Sequence, residues 1–137
     1  MKKDDWKSFL ERKANLDPNI LRLVRALNSL PAVWTFSSCG GHENPSAGQE
    51  GPGEFNINFH LDQNRRGWKS LKFIQWAIQE TEGDLDERIR LDVWVDPGED
   101  ENDPRAGILC FQVKGHPGAD PNELAEILEE LAAIQQE

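Results

Sequence analysis

Three shortages bound this 137-residue chain. No run approaches the roughly 18 consecutive apolar residues of a membrane-spanning helix. The start, Met1-Lys2-Lys3-Asp4-Asp5, leads into a charged amphipathic segment rather than a secretory leader. A cytoplasmic protein with no membrane partner is expected. Cysteine is scarce, with Cys39 and Cys110 the only two, too few for the disulfide framework of a small secreted domain, although one bridge between them stays open. Basic residues are also short: fifteen Lys and Arg stand against twenty-five Asp and Glu, for a formal net charge of -10. Nucleic-acid affinity comes mostly from neutralising phosphates, so this balance argues against a general DNA or RNA binder. The deficit is uneven. Residues 1–75 carry eleven Lys/Arg and eight Asp/Glu, whereas residues 76–137 carry four and seventeen, which leaves room for a local basic patch from Lys2, Lys3, Lys7, Arg65, Arg66, Lys69 and Lys72.

What is present is regular patterning. The length suits one domain spanning residues 1–137. Trp6, Phe9 and Leu10 predict a short amphipathic helix, and Asp17-Pro18 reads as an N-cap with proline opening the next one. Ile20, Leu23, Val24 and Leu27 give that second helix its buried stripe, and Pro31 ends it. Strict alternation from Phe55 to Leu61 predicts a half-buried strand. Trp68 to Glu82 returns to helical spacing, with Gly83 as the stop. Ile89 to Asp96 and Ile108 to Lys114 pair as a hairpin with an acidic, solvated tip, and Asp120-Pro121-Asn122-Glu123 opens a closing helix. The predicted fold is α+β, in the order ααββαββα: an antiparallel sheet of about four strands with helices packed on one face. Alternation assigns Thr35, Ser37, Asn56, Asn58, His60 and Trp94 to the open face, and Trp34, Phe36, Leu91 and Val93 to the covered one.

The residues that do chemistry gather in one run, Ser37-Ser38-Cys39-Gly40-Gly41-His42, between a strand from Val33 and a Gly/Pro-rich loop over residues 43–53. Three chemistries fit it. Successive backbone N–H groups from Ser38 through Gly41, with the Ser37 and Ser38 hydroxyls, can form a concave nest for a carboxylate or phosphate. Cys39 can act as a nucleophile with His42 as its base, although no residue in the sequence stands out to orient that imidazole. Cys39 and His42 also have Cys-x-x-His spacing, but His60, Cys110 and His116 are each isolated, so the ligand count predicts no metal. Asn58, His60 and Trp94 join the expected ligand surface through the open face. A plain tight turn accounts for the glycines equally well.

The segment Thr35-Phe36-Ser37-Ser38-Cys39-Gly40-Gly41-His42 resembles the Thr-x-Ser-Ser-Cys-x-Gly-Arg segment of the wybutosine-synthesising methyltransferase family, with His42 where that family has arginine. Those enzymes modify the tricyclic base of phenylalanine tRNA using S-adenosylmethionine. The resemblance spans eight residues and implies an S-adenosylmethionine pocket beside Ser37, Ser38 and Cys39, with a tRNA surface nearby. Two functions are therefore carried forward from the sequence. One is a small-molecule or anion site at this loop, extending by resemblance to tRNA modification. The other is a non-catalytic interaction module whose sheet face or acidic last helix meets a partner, which could be a second copy of the chain.

Overall fold

The computed structural model describes residues 17–47, 49–81 and 89–135. The helix expected over Trp6 to Lys13 and the Gly83 stop lie outside them. A single 3-10 turn, Pro18–Ile20, runs into α1 (Leu21–Ser29). There follow β1 (Val33–Cys39), β2 (Phe55–Leu61), α2 (Arg65–Glu80), β3 (Ile89–Val95), β4 (Leu109–Gly115) and α3 (Pro121–Gln135). The protein is α+β. Its two ββα units join through their second strands, so the all-antiparallel sheet has the order β1-β2-β4-β3.

Burial follows chemistry closely at the centre. Phe55, Ile57 and Phe59 of β2 and Phe111 and Val113 of β4 turn to the helices, as do Leu23 and Leu27 of α1 and Leu124 and Leu128 of α3. Phe59 and Phe111 stack with ring centroids 5.5 Å apart, adding aromatic contact to the transfer of apolar surface out of water. The last helix lies between the other two and touches both. A forked pair from Arg22 to Glu129, at 3.0 and 2.8 Å, joins α1 to α3 at the surface.

Local signals explain the boundaries. Asn64 caps α2 by accepting the Gly67 N–H at 3.0 Å, so that helix begins at Arg65, a turn earlier than the apolar spacing alone predicts. Asp120 accepts the Asn122 N–H at 2.9 Å at the start of α3. Beyond α1, Ala32 sits at φ 64, and its carbonyl accepts the Asp62 N–H at 2.9 Å, which fixes the turn into β1.

The parity of β1 departs from simple alternation. Thr35 faces Phe59 in the register, yet Ser37 faces Asn58, so one extra residue bulges between them. Thr35 therefore points to the helices, where its hydroxyl accepts from Asn28 Nδ2 at 2.8 Å and its N–H donates to Asn28 Oδ1 at 3.1 Å. Trp34 and Phe36 turn instead to the open face: Trp34 pairs with His60, and Phe36, 48% exposed, stacks on the His60 ring at 4.2 Å. Val93 keeps its predicted parity but is 60% exposed, because β3 is an edge strand. No helix among the described residues is long and apolar enough to cross a membrane.

Candidate functional site

At the end of β1 the chain brings together residues that are far apart in sequence. Asp17 caps nothing: its side chain makes no bond to the 3-10 turn that follows it. Its Oδ2 instead accepts the Gly40 N–H at 2.8 Å. Asn19 Nδ2 donates to the Gly40 carbonyl, also at 2.8 Å. Both peptide groups of Gly40 are thus held by the segment entering α1. A Cβ on Gly40 would collide with Asn19 Oδ1, so glycine is needed for this close approach.

His42 completes the corner. Its Nε2 lies 3.7 Å from Asp17 Oδ2, and its N–H donates to the Glu50 carbonyl at 2.9 Å. Cys39 is buried, and its Sγ accepts the Glu50 N–H at 3.3 Å. One donor atom each from Asp17, Cys39 and His42 lies within 4.8 Å of the other two. Residues 50–54 are therefore fixed against the strand end rather than free over it. Gly41, at φ +93, lies beneath them, where a Cβ would be 2.5 Å from the Glu54 carbonyl oxygen and 2.7 Å from that of Gly51.

These bonds revise the nest. The Gly40 N–H already has an anion, the Asp17 carboxylate, and the His42 N–H has the Glu50 carbonyl. The glycines serve close packing within the chain. The ligand count also changes, because counting only Cys and His overlooked Asp17, an acidic residue 22 positions before Cys39. The signal was an Asp-Pro that reads equally well as a helix cap.

A polar network continues from this corner across the open face. Asn58 donates to Ser37 Oγ at 2.9 Å and receives Gln112 Nε2 at 2.9 Å. Asn56, opposite Cys39, donates to Glu50 Oε1 at 2.9 Å, and Lys114 Nζ is 3.6 Å from the same oxygen. Burial alone would raise the Glu50 carboxyl, but Asn56 and Lys114 outweigh it and hold the group below its ordinary value.

The remaining predicted residues lie elsewhere. Ser38 turns to the helix side opposite Ile57, where its Oγ is buried and makes no hydrogen bond among the described residues. His60 is four residues along β2 from Asn56, roughly 13 Å at strand rise. Its Nδ1 donates to the Leu109 carbonyl at 3.2 Å and sits 3.9 Å from Cys110 Sγ. Burial, with the Asp96 charge added, pushes the Cys110 thiol up. Trp94 faces Cys110 on β3, three strand spacings from β1, roughly 14 Å. Neither belongs with Cys39. Two shallow grooves of 480 and 560 Å³ flank Trp76 on α2, and neither is lined by Cys39 or His42.

No family model, no curated protein and no solved structure matches the chain. Any functional reading therefore rests on the chemistry and surfaces of the fold itself.

Proposed function

We propose that the protein is a small-ligand-binding domain whose site is the end of β1, with the Cys39 thiol, the His42 imidazole and the Asp17 carboxylate as its working groups. The carrying observation is their convergence: three chemically different donors within 4.8 Å of one another. The arrangement differs from a nucleophile relay. A relay needs thiol and carboxylate hydrogen-bonded to opposite ring nitrogens, whereas here one imidazole nitrogen lies within 4.8 Å of both the thiol and the carboxylate. Convergence favours capture of a ligand at a common point.

The test is thermal unfolding of the full chain with S-adenosylmethionine, inorganic phosphate or Zn²⁺ as separate probes, in wild type and in Cys39→Ser. At least one probe should raise the wild-type melting temperature and leave the variant unmoved. Equal responses of both proteins to all three would remove the site. A response to S-adenosylmethionine would extend the reading toward the methyltransferase chemistry suggested by the Ser37 to Gly41 segment.

The second reading, an interaction module, has its own observation. Val93 and Val95 are exposed on the edge strand beside Trp94, a surface open to pairing with another chain. It predicts concentration-dependent self-association in sedimentation, abolished by Val95→Lys.

A further inference from the structure

We propose that Asp17, Cys39 and His42 bind one divalent cation of the zinc class and leave a fourth coordination position open. The assignment rests on the ligand-site reading above and names its occupant.

Distance comes first. A tetrahedral cation at about 2.0–2.3 Å from each donor sets the donors roughly 3.3–3.6 Å apart. His42 Nε2 and Asp17 Oδ2 are 3.7 Å apart, too far for a hydrogen bond and close to that edge length. The other separations fall within 4.8 Å, so small side-chain rotations close the set. The donors also fit one metal class. Thiolate and imidazole select zinc over magnesium or calcium, which want oxygen alone.

The groups behind the donors are those a metal site needs. An N–H from Gly40 holds the Asp17 carboxylate, and an N–H from Glu50 holds the Cys39 sulfur. Both donors stabilise negative charge on a ligand atom and fix its direction. The peptide groups of Gly40 and His42 are themselves tied down, by Asn19 and by the Glu50 carbonyl, so two ligand atoms are held by backbone N–H groups and the main chain of the third residue is anchored. Glu50 stands outside the set of mutually close donors, and its Oε1 is engaged by Asn56 and Lys114. His60 and Cys110 are engaged with each other across the sheet.

Three protein ligands with one open position is the pattern of zinc sites that do chemistry rather than hold a fold. The open position takes water or an anionic group of a substrate. A carboxylate or phosphate would thus meet the cation, since the Gly40 and His42 N–H groups are already taken.

The experiment is a Co²⁺ titration of the full chain after chelator treatment, followed by displacement with Zn²⁺. Wild type should bind one Co²⁺ with a thiolate-to-cobalt charge-transfer band in the near ultraviolet, and one Zn²⁺ should erase it. Cys39→Ser should lose the band, Asp17→Asn and His42→Gln should weaken Zn²⁺ binding about tenfold or more, and Cys110→Ser should change nothing. Circular dichroism checks that each variant folds, and the alanine variant at the same position replaces any serine variant that does not. A missing wild-type band, or one that depends on Cys110, overturns the assignment. If the band is missing while S-adenosylmethionine or phosphate still stabilises wild type and not Cys39→Ser, the ligand site stands and the metal falls. If no probe distinguishes the two proteins, both fall.

Discussion

The Asp17 carboxylate accepts the Gly40 N–H at 2.8 Å across 23 residues of chain. That bond ties the segment entering α1 to the segment leaving β1, and it turns a residue suited to helix capping into one wall of a side-chain cluster. Asp17→Ala should therefore cost more than loss of a surface cap. A hydrogen bond to a charged acceptor contributes about 1.5–3 kcal/mol, and Asp17→Asn, which keeps an acceptor, should lose less than Asp17→Ala. Denaturant unfolding of both variants measures the order. Equal stability of Asp17→Ala and wild type would show the bond to be idle.

Gly41 and Gly107 separate two reasons for glycine. Both have positive φ, +93 and +84, but a Cβ on Gly107 meets nothing within 4 Å whereas one on Gly41 runs into two backbone oxygens. Gly107→Ala should cost about 1 kcal/mol of left-handed strain. Gly41→Ala should cost clearly more, because residues 51–54 must move as well. Similar losses of melting temperature in the two variants would contradict this packing.

Glu50 makes stability depend on pH in a stated direction. Its carboxyl is held below the ordinary value of 4.5, so its stabilisation is present above the unfolded pKa and fades as pH falls through the folded one. Glu50→Gln should lower stability at pH 7 by on the order of 1 kcal/mol, with the gap closing below about pH 4.5. A gap that persists unchanged at pH 3 would assign the effect to shape rather than charge.

The two cysteines should differ in reactivity. Cys110 is more deeply buried than Cys39, and burial pushes its thiol up, which leaves less of the nucleophilic thiolate. Limited alkylation of the metal-free chain at neutral pH, read by peptide mass spectrometry, should modify Cys39 first. Faster modification of Cys110 would reverse the burial assignment.

The fold was more legible than the site. Period-two alternation in Phe55 to Leu61 and period-3.6 spacing through Leu23, Val24 and Leu27 are local consequences of burial, and each becomes a strand or helix with the expected face inward. The bulge after Thr35 carries no such mark. It reverses the side on which Thr35 lies relative to Ser37, and with it the roles of Trp34 and Phe36. The glycine pair correctly marked an unusual backbone. What it accommodates, Asn19 and Asp17 against Gly40 and residues 51–54 against Gly41, depends on contacts between segments that only the assembled sheet brings close. His60 and Trp94 share a face with Asn56 and Cys110, but parity fixes the side of a sheet and not the distance across it.

X-ray absorption at the zinc edge, on the chain loaded with one equivalent of Zn²⁺, tests most directly whether Asp17, Cys39 and His42 act as one centre. The account predicts a single sulfur neighbour at about 2.3 Å and nitrogen or oxygen neighbours at about 2.0–2.2 Å, with the sulfur shell absent in Cys39→Ser. A first shell of nitrogen and oxygen alone in wild type, or one containing two sulfurs, would contradict it.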